Sequence, residues 1–411
     1  MVLTLLIDLD DTLLGNSMDV FIPAYLNALG NHLSDVIQPE ILVTSMLCAT
    51  RAMFSNRKLD QTLKQVFDSD FYPAIGIPEE SLHLRINQFY TTEFTHLRKH
   101  TQFRPEARRL IETALKNRYQ VIVATNPVFP RTAILQRLDW AGINHEKFHF
   151  PLIPSYESFH FAKPDPAFFT ELLTRIGWPS GPVLMVGNDP EHDIYGSHQV
   201  GIPSFWIMNE VEKYPEDMPE PKGQGTLEEV VPWINLVDIE GLIPNFKTPS
   251  AMTAILRGVP AGIASLISPF YGNPRLNESK EIRNKLTEVI SKMANLETNE
   301  NLPGLEKILN GNKSPVPTID QTGRKKDSKS SNQDSLSTFS QYLHFRIETL
   351  RLLTSNKDQI GLVESNVLSS APTPLFEFLA SMINREIELS RQVFKITNLL
   401  FPTEKVAQPI Q

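Results

Sequence analysis

The chain has almost none of the features that mark secreted, thiolate-metal or membrane proteins. Its 411 residues contain one cysteine, Cys48, which excludes an intrachain disulfide and a multi-cysteine zinc site. A metal, if one binds, is therefore expected to be hard and oxygen-bound. The opening apolar run is interrupted at Asp8, and no run of 18 uncharged apolar residues follows it. We therefore predict neither a signal peptide nor a membrane partner, and we expect a cytoplasmic protein.

A surplus of basic residues is also absent. The 39 Lys and Arg are outnumbered by 47 Asp and Glu, which gives a formal net charge of −8 and argues against nucleic acid as a partner. A basic cluster at Arg324, Lys325, Lys326 and Lys329 has no interleaved aromatic residue and is typical of a solvated loop. It lies in the polar segment 311–335, which we predict to be a mobile loop.

Short apolar runs alternate with amphipathic segments over about the first 210 residues. The runs cover 2–7, 121–124, 148–153, 183–186 and 204–207, and they are typical of buried parallel strands. The segments 105–115, 131–141 and 165–176 have helical periodicity. This alternation predicts a doubly wound α/β domain formed by residues 1–15 and 100–240.

Two stretches break the alternation. Residues 16–99 hold four helical patterns, at 20–33, 39–54, 59–67 and 79–94, and no strand pattern, so we predict a helical insert between the first two strands. Residues 213–247 are rich in Pro, Glu and Gly, and we place a linker at 241–250. Helical patterns at 251–266, 280–294, 336–353 and 374–399 then predict an all-α four-helix bundle over 251–411.

Polar side chains follow the predicted strands where each strand ends. Asp8, Asp10 and Asp11 come directly after the first strand, and Thr125 and Asn126 end the second. Open α/β sheets bind ligands at this edge, and residues two apart on a strand share a face. Asp8 and Asp10 are therefore predicted to converge on one substrate atom, beside the Thr125 hydroxyl and the Asn126 amide.

Two further segments bring charge to the same edge. Lys163 lies just before Pro164, and Asp165 followed by Pro166 is typical of a capped helix start. Asp189 and Asp193 follow Gly187 at the end of a later strand, one helical turn apart. Several carboxylates in one pocket repel unless a cation intervenes, and Mg²⁺ is the cation that oxygen ligands and a phosphate substrate would share.

These segments resemble the four motifs of the haloacid dehalogenase superfamily in order and spacing. They read Asp8-Leu9-Asp10-Asp11-Thr12, Thr125-Asn126, Lys163-Pro164-Asp165, and Gly187-Asn188-Asp189 with Asp193. The resemblance covers about residues 1–210. It implies a Rossmann-like core, a helical cap where we predict the insert, and Mg²⁺-dependent phosphatase chemistry on a small phosphomonoester.

The resemblance also implies roles. Asp8 would be the nucleophile, and Asp10 would protonate the leaving oxygen and then activate water. Thr125 and Lys163 would complete the catalytic set, and they would bind substrate together with Asn126. The implied Mg²⁺ site consists of Asp8, Asp189 and the backbone carbonyl of Asp10, and Asp193 would support the metal shell or orient Lys163.

One departure from the family pattern concerns the metal. Many members have an acid directly after the motif glycine, where this chain has Asn188, so the role falls on Asp189. Two alternatives to hydrolysis stay open: a phosphoglucomutase-like phosphotransfer, and a scaffold that has lost activity. Substrate choice would be set by the cap, whose candidate contacts are Arg51, Phe54, Arg57, Lys58 and Tyr72.

The C-terminal stretch resembles DinB-like helical bundles, in the segments ILRGVPAGIASLI, KEIRNKLTEV and LSRQVFKI. Such bundles bind a metal through histidines, but the matching positions here are Lys285, Arg385 and Leu389. His344 is the one histidine beyond residue 198, so we predict no metal in the bundle. The bundle is expected to pack on the α/β core or to pair subunits in a homodimer.

Overall fold

The computed structural model describes residues 2–208, 213–270, 280–311, 335–356 and 373–400. A parallel sheet of five strands in the order β4-β1-β5-β6-β7 forms its centre. The strands are β1 (Thr4–Ile7), β4 (Gln120–Val123), β5 (Val183–Gly187), β6 (Ser204–Ile207) and β7 (Gly223–Gly225), and a two-residue ladder pairs β2 (Leu14–Gly15) with β3 (Gln102–Phe103).

The register of the three central strands aligns their carboxyl ends. Ile7 of β1 lies between Val123 of β4 and Val186 of β5. The residues that follow these strands therefore meet at one edge of the sheet, as the sequence predicts.

The insert after β2 is helical throughout. Its helices are α1 (Met18–His32), α2 (Pro39–Phe54), α3 (Leu63–Ile75) and α4 (Glu79–Thr91), followed by a 3₁₀ segment at Glu93–His100. Pro39 at the first turn of α2 and a capping box between Thr62 and Gln65 before α3 explain where these helices begin. Residues 16–99 are all described and contain no strand.

Helices cover both faces of the sheet. They are α5 (Pro105–Lys116), α6 (Arg131–Trp140), α7 (His145–Phe148), α8 (Pro166–Arg175), α9 (Gly196–His198) and α10 (Val230–Ile234), with a π-helical turn at Pro190–Tyr195. Together with the parallel sheet, these helices form the α/β core that the sequence predicts.

The strand predicted at 148–153 is wrong. Phe148 ends α7, His149 has a positive φ of 47°, and the following residues form no strand. The prolines at 151 and 154 lack the N–H that a strand ladder needs. The apolar side chains of this segment are nevertheless buried, which is why it has the composition of a strand. The fifth strand is β7 instead, which lies in the stretch rich in Pro, Glu and Gly, where no strand was predicted.

The C-terminal part is helical. It contains α11 (Pro249–Ile267), α12 (Lys280–Leu296), α13 (Leu302–Leu309), α14 (Ser335–Ser355) and α15 (Pro374–Leu400), with a π-helical turn at Glu297–Asn301. The four predicted helices are present, and α13 is an addition. The predicted mobile loop lies outside the described residues except for positions 311 and 335. The homodimer stays a prediction.

Helix α11 joins the bundle to the α/β core. A Cβ on Gly258 would lie 1.9 Å from Thr170 Oγ1, and one on Gly262 would lie 2.6 Å from Thr174 Cβ, so α11 and α8 approach closely. One apolar cluster continues from Ile122 in the sheet to bundle residues. By length and composition, α11 is the one described helix that could cross a membrane, and 67% of its apolar window is buried inside the structure.

Candidate active site

Three buried charged side chains form a cluster where the parallel strands end. Lys163 Nζ donates to Oδ1 of Asp8 at 2.8 Å and to Oδ1 of Asp193 at 2.5 Å. Asp8 is fixed by its backbone, because its N–H bonds the carbonyl oxygen of Val186 at 2.9 Å. Among the described residues, none hydrogen-bonds the second carboxylate oxygen, Oδ2, of Asp8. Of the four carboxylate oxygens of Asp8 and Asp193, it is the one without a donor in the described part of the chain.

Burial and mutual repulsion set the protonation of this cluster. Burial raises the pKa of Asp8 to about 7; Lys163 opposes that rise, and Asp193 and Asp10 add to it. Burial also raises the pKa of Asp193, again against the pull of Lys163. Burial alone would lower the pKa of Lys163, but the two carboxylates raise it well above its usual range. The ammonium is thus charged and is shared by two carboxyl groups, and negative charge is in surplus when both of them are ionised.

Asp10 is held by an arginine that the sequence analysis missed. Nη1 of Arg137, on α6, lies 2.7 and 2.6 Å from the two oxygens of Asp10, and Asn16 donates to one of them at 2.7 Å. The Arg137 side chain is fully buried, and its guanidinium lies 4.5 Å from the ring centroid of Phe129. The charge of Asp10 is therefore already compensated within the protein.

Thr125 and Asn126 lie next to these groups. Thr125 is buried, and its hydroxyl donates to Oδ2 of Asp10 over 3.4 Å, a long contact that a substrate oxygen can replace. The Asn126 amide hydrogen-bonds both backbone groups of Lys163. Its Oδ1 accepts from the Lys163 N–H at 3.2 Å, and its Nδ2 donates to the Lys163 carbonyl at 3.4 Å. The structure therefore places Asn126 as a support of Lys163, and its substrate contact stays a prediction.

Asp189 is engaged away from this cluster. Its Oδ1 accepts from the N–H groups of Glu191 and His192, both at 2.9 Å, and its Oδ2 lies 2.9 Å from Nδ1 of His192. Burial would raise the pKa of Asp189, but the bonds and charge of His192 lower it to about 2. Asn188 is also occupied, since its Oδ1 accepts from the Thr12 hydroxyl at 2.9 Å.

Most carboxylate oxygens of the four predicted metal residues already have hydrogen-bond partners, and the metal site stays a prediction. Within the described residues, no group of three or more Asp, Glu, His or Cys side chains is arranged to hold a metal ion. Asp10 is paired with Arg137, Asp189 with His192, and both oxygens of Asp193 accept hydrogen bonds. Of these four carboxylates, only that of Asp8 has an oxygen without a donor among the described residues. The negative charge of the group suits a cation, but a single carboxylate oxygen is open to bind it.

Gly187 makes room for Asp193. A Cβ at position 187 would lie 2.1 Å from Oδ2 of Asp193, so Gly187→Ala must displace the carboxylate that holds Lys163. We expect hydrolysis to fall about 100-fold, the size of loss that misplacement of reacting groups by about an ångström causes. Gly30→Ala, whose new Cβ meets nothing closer than 3.6 Å, is the matched control and should keep its rate. Equal rates for both variants, measured with the same substrate, would contradict this role of Gly187.

Known proteins are similar to the N-terminal half of the chain. The family model of haloacid dehalogenase-like hydrolases matches residues 5–207. A phosphoserine phosphatase of Thermus thermophilus is 28% identical over 146 residues, which are 35% of this chain and 53% of that protein. The match thus spans about half the length of this relative.

Solved structures of similar proteins cover somewhat more than half of the chain. A 2-haloacid dehalogenase from Pseudomonas syringae has 23% identity and a TM-score of 0.42, with 57% of this chain and 99% of that chain covered. A HAD phosphatase from Thermococcus onnurineus has 17% identity and a TM-score of 0.35, with 58% and 99% covered. Residues 5–207 of this chain belong to the haloacid dehalogenase-like hydrolase family.

Proposed function

We propose that the protein is a phosphatase that hydrolyses a small phosphomonoester through an aspartyl-phosphate on Asp8. The observation that carries this proposal is the state of the Asp8 carboxylate. One oxygen is held by Lys163 at 2.8 Å, while Oδ2 has no donor among the described residues. A carboxylate oriented in this way can attack phosphorus with its free oxygen, which forms the acyl-phosphate as the bond to the alkoxide breaks.

Two neighbours would support the transfer. Lys163 offsets negative charge on Asp8 and on the phosphoryl group as the two approach. The Thr125 hydroxyl can donate to a phosphoryl oxygen in place of its long contact with Asp10. Both residues are buried in the α/β core, which favours a fixed geometry for the reaction.

Asp10 would serve the proton transfers. Its salt bridge with Arg137 orients the carboxylate, which suits a base that activates water against the acyl-phosphate. Donating a proton to the leaving oxygen requires this salt bridge to open. An acid at this position is useful for an alkoxide and unnecessary for halide, which favours phosphate esters over haloacids. The phosphoserine phosphatase relative supports the same substrate class.

We also propose Mg²⁺ as the cofactor. The surplus negative charge of the Asp8, Asp193 and Lys163 cluster would repel a phosphate dianion, and the free Oδ2 of Asp8 is a suitable hard ligand. A bound Mg²⁺ would neutralise phosphoryl oxygens during the transfer. The substrate is proposed to be a small soluble molecule, in accord with the acidic chain.

The test is phosphate release by the full chain. A panel should include an aryl phosphate, phosphoserine and sugar phosphates, each with Mg²⁺ and with EDTA. Release that EDTA stops supports the proposal, whereas transfer to a sugar hydroxyl in place of water would identify a phosphotransferase. No release across the panel, together with a melting temperature that Mg²⁺ does not change, would favour a scaffold.

The two acids after Gly187 should differ in their effects. Asp193 contacts Lys163 directly, so Asp193→Asn is expected to lower kcat about 100-fold because Lys163 loses a charged partner. Asp189→Asn keeps an oxygen for the two N–H groups of the turn and should keep most activity. Steady-state kinetics over a Mg²⁺ titration compares the two variants. A much weaker response of Asp189→Asn to Mg²⁺ would instead show that Asp189 is a metal ligand.

A further inference from the structure

Asp165 connects three parts of the molecule. It lies two residues after Lys163 and caps α8, because its Oδ1 accepts from the Ala167 N–H at 2.9 Å. Arg257 on α11 donates to both oxygens, from Nη1 to Oδ1 at 2.9 Å and from Nη2 to Oδ2 at 2.7 Å. Arg57, from the loop after α2, lies 3.0 Å from the same Oδ2. The core, the bundle and the cap thus meet at one buried carboxylate.

The two arginines contribute unequally. The Arg257 side chain is 16% exposed, forms two parallel hydrogen bonds and lies with its guanidinium 4.8 Å from the ring centroid of Phe161. The Arg57 side chain is 61% exposed and makes one contact to the carboxylate. Bidentate pairs of arginine with a carboxylate are strong and orient both partners, whereas exposed single contacts contribute little to stability. Arg257 is therefore the residue that fixes Asp165.

The backbone around Lys163 is fixed on both sides. The Asn126 amide holds the N–H and carbonyl of Lys163, and the Asp165 N–H bonds the carbonyl of Ala162 at 3.0 Å. Without Arg257, the Asp165 carboxylate would keep only the Ala167 N–H and the exposed Arg57, so residue 165 would be held less firmly. Arg257 is itself positioned rigidly, because the next residue, Gly258, is packed directly against α8.

We infer that Arg257 is a positioning residue for Lys163, so that the C-terminal bundle completes the active site of the α/β core. The inference rests on the proposed function. Arg257 acts on the reaction through Asp165 and the backbone of residues 162–165, and it orients the Lys163 ammonium toward Asp8. The bundle then has a role in catalysis in addition to its role in packing.

The first measurement is kinetic. In the full chain, Arg257→Ala should lower kcat for an aryl phosphate by about 10- to 100-fold, with little change in KM, because Lys163 is misplaced and the substrate pocket is intact. Arg257→Lys keeps the positive charge but cannot form the two parallel hydrogen bonds to Asp165, so it should have an intermediate kcat. Arg391→Ala is the matched control, since Arg391 also joins the bundle to the core, through a 3.2 Å bond to the carbonyl of Trp178. It should keep the wild-type rate.

The second measurement does not depend on turnover. Acetylation of Lys163 by a lysine reagent, quantified by peptide mass spectrometry, reports how firmly its ammonium is held. Arg257→Ala and Arg257→Lys should both raise the labelling rate several-fold, whereas Arg391→Ala should not. Unchanged labelling in both Arg257 variants would overturn the inference. If the wild type releases no phosphate but labelling responds as expected, the proposed function fails and the positioning contact stands.

Discussion

Replacing Asp8 by Asn is expected to abolish hydrolysis of an aryl phosphate, with a fall in kcat of about 10³-fold or more, as loss of a catalytic nucleophile does in other enzymes. The amide has nearly the same shape as the carboxylate, and its carbonyl oxygen can still accept from Lys163. It offers no anionic oxygen to phosphorus. The fold should therefore persist while the chemistry stops, and phosphate release with Mg²⁺ measures the loss.

The neighbouring acid provides the control. Asp11 lies three residues along the chain and holds Arg104 at 3.2 Å, with a positive φ of 58° that asparagine also tolerates. Asp11→Asn should keep activity within a few-fold of wild type. If Asp8→Asn were as active as Asp11→Asn, then Asp8 would not be the nucleophile, and the proposed mechanism would be wrong.

The sequence predicts the edge of the sheet well because parallel strands constrain it. Once β1, β4 and β5 are recognised, the residues that follow them must meet, and Asp10 and Thr125 do so. Lys163 reaches the same edge from the turn before α8. Helix α2 begins and ends where its periodicity predicts. The partners of Asp10 and Asp189 were not predictable in the same way, because whether each carboxylate faces a cation or its own turn depends on side chains from elsewhere in the fold.

Three arginines on apolar helix faces make contacts that were not predicted from the sequence. Arg137, Arg257 and Arg346 lie in helical patterns, where a charge is usually taken to face solvent. Each nevertheless has buried apolar or aromatic neighbours three or four positions away, which is the spacing of one helix face. These neighbours include Ile134, Trp140, Ala254, Ala261, Tyr342 and Leu343. An arginine on an otherwise apolar face was the available signal, although it identifies no partner.

Arg346 is the buried arginine with the largest expected effect on stability. Its Nε and Nη2 donate to the two oxygens of Glu297 at 2.9 and 2.8 Å, and its Nη1 and Nη2 donate to those of Glu386 at 3.1 and 2.9 Å. Nη1 also bonds the carbonyl of Leu256 at 3.2 Å. These partners lie on α11, on the turn after α12 and on α15, so the guanidinium on α14 connects the long bundle helices.

Replacing Arg346 by Met is expected to destabilise the bundle by about 3–5 kcal/mol, because Glu297 and Glu386 are left as buried carboxylates without a counter-ion. Urea unfolding followed by circular dichroism measures this loss. Arg351→Met is the matched control on the same helix. The Arg351 side chain is 69% exposed, and its pair with Glu348 should contribute no more than about 1 kcal/mol.

The pH dependence of the free energy of unfolding shows whether Arg346→Met destabilises the bundle through the lost positive charge or through lost packing. Burial would raise the pKa of Glu297, but Arg346 lowers it below its usual value of 4.5. In the wild type, the stabilisation that ionised Glu297 provides is therefore complete above pH 4.5, and it is lost as the pH falls through the lowered pKa. In Arg346→Met, a buried carboxylate without a cation takes up a proton readily, so the deficit relative to wild type should shrink as the pH is lowered from 7 toward 4. A deficit that is independent of pH would show that Arg346 contributes mainly by packing.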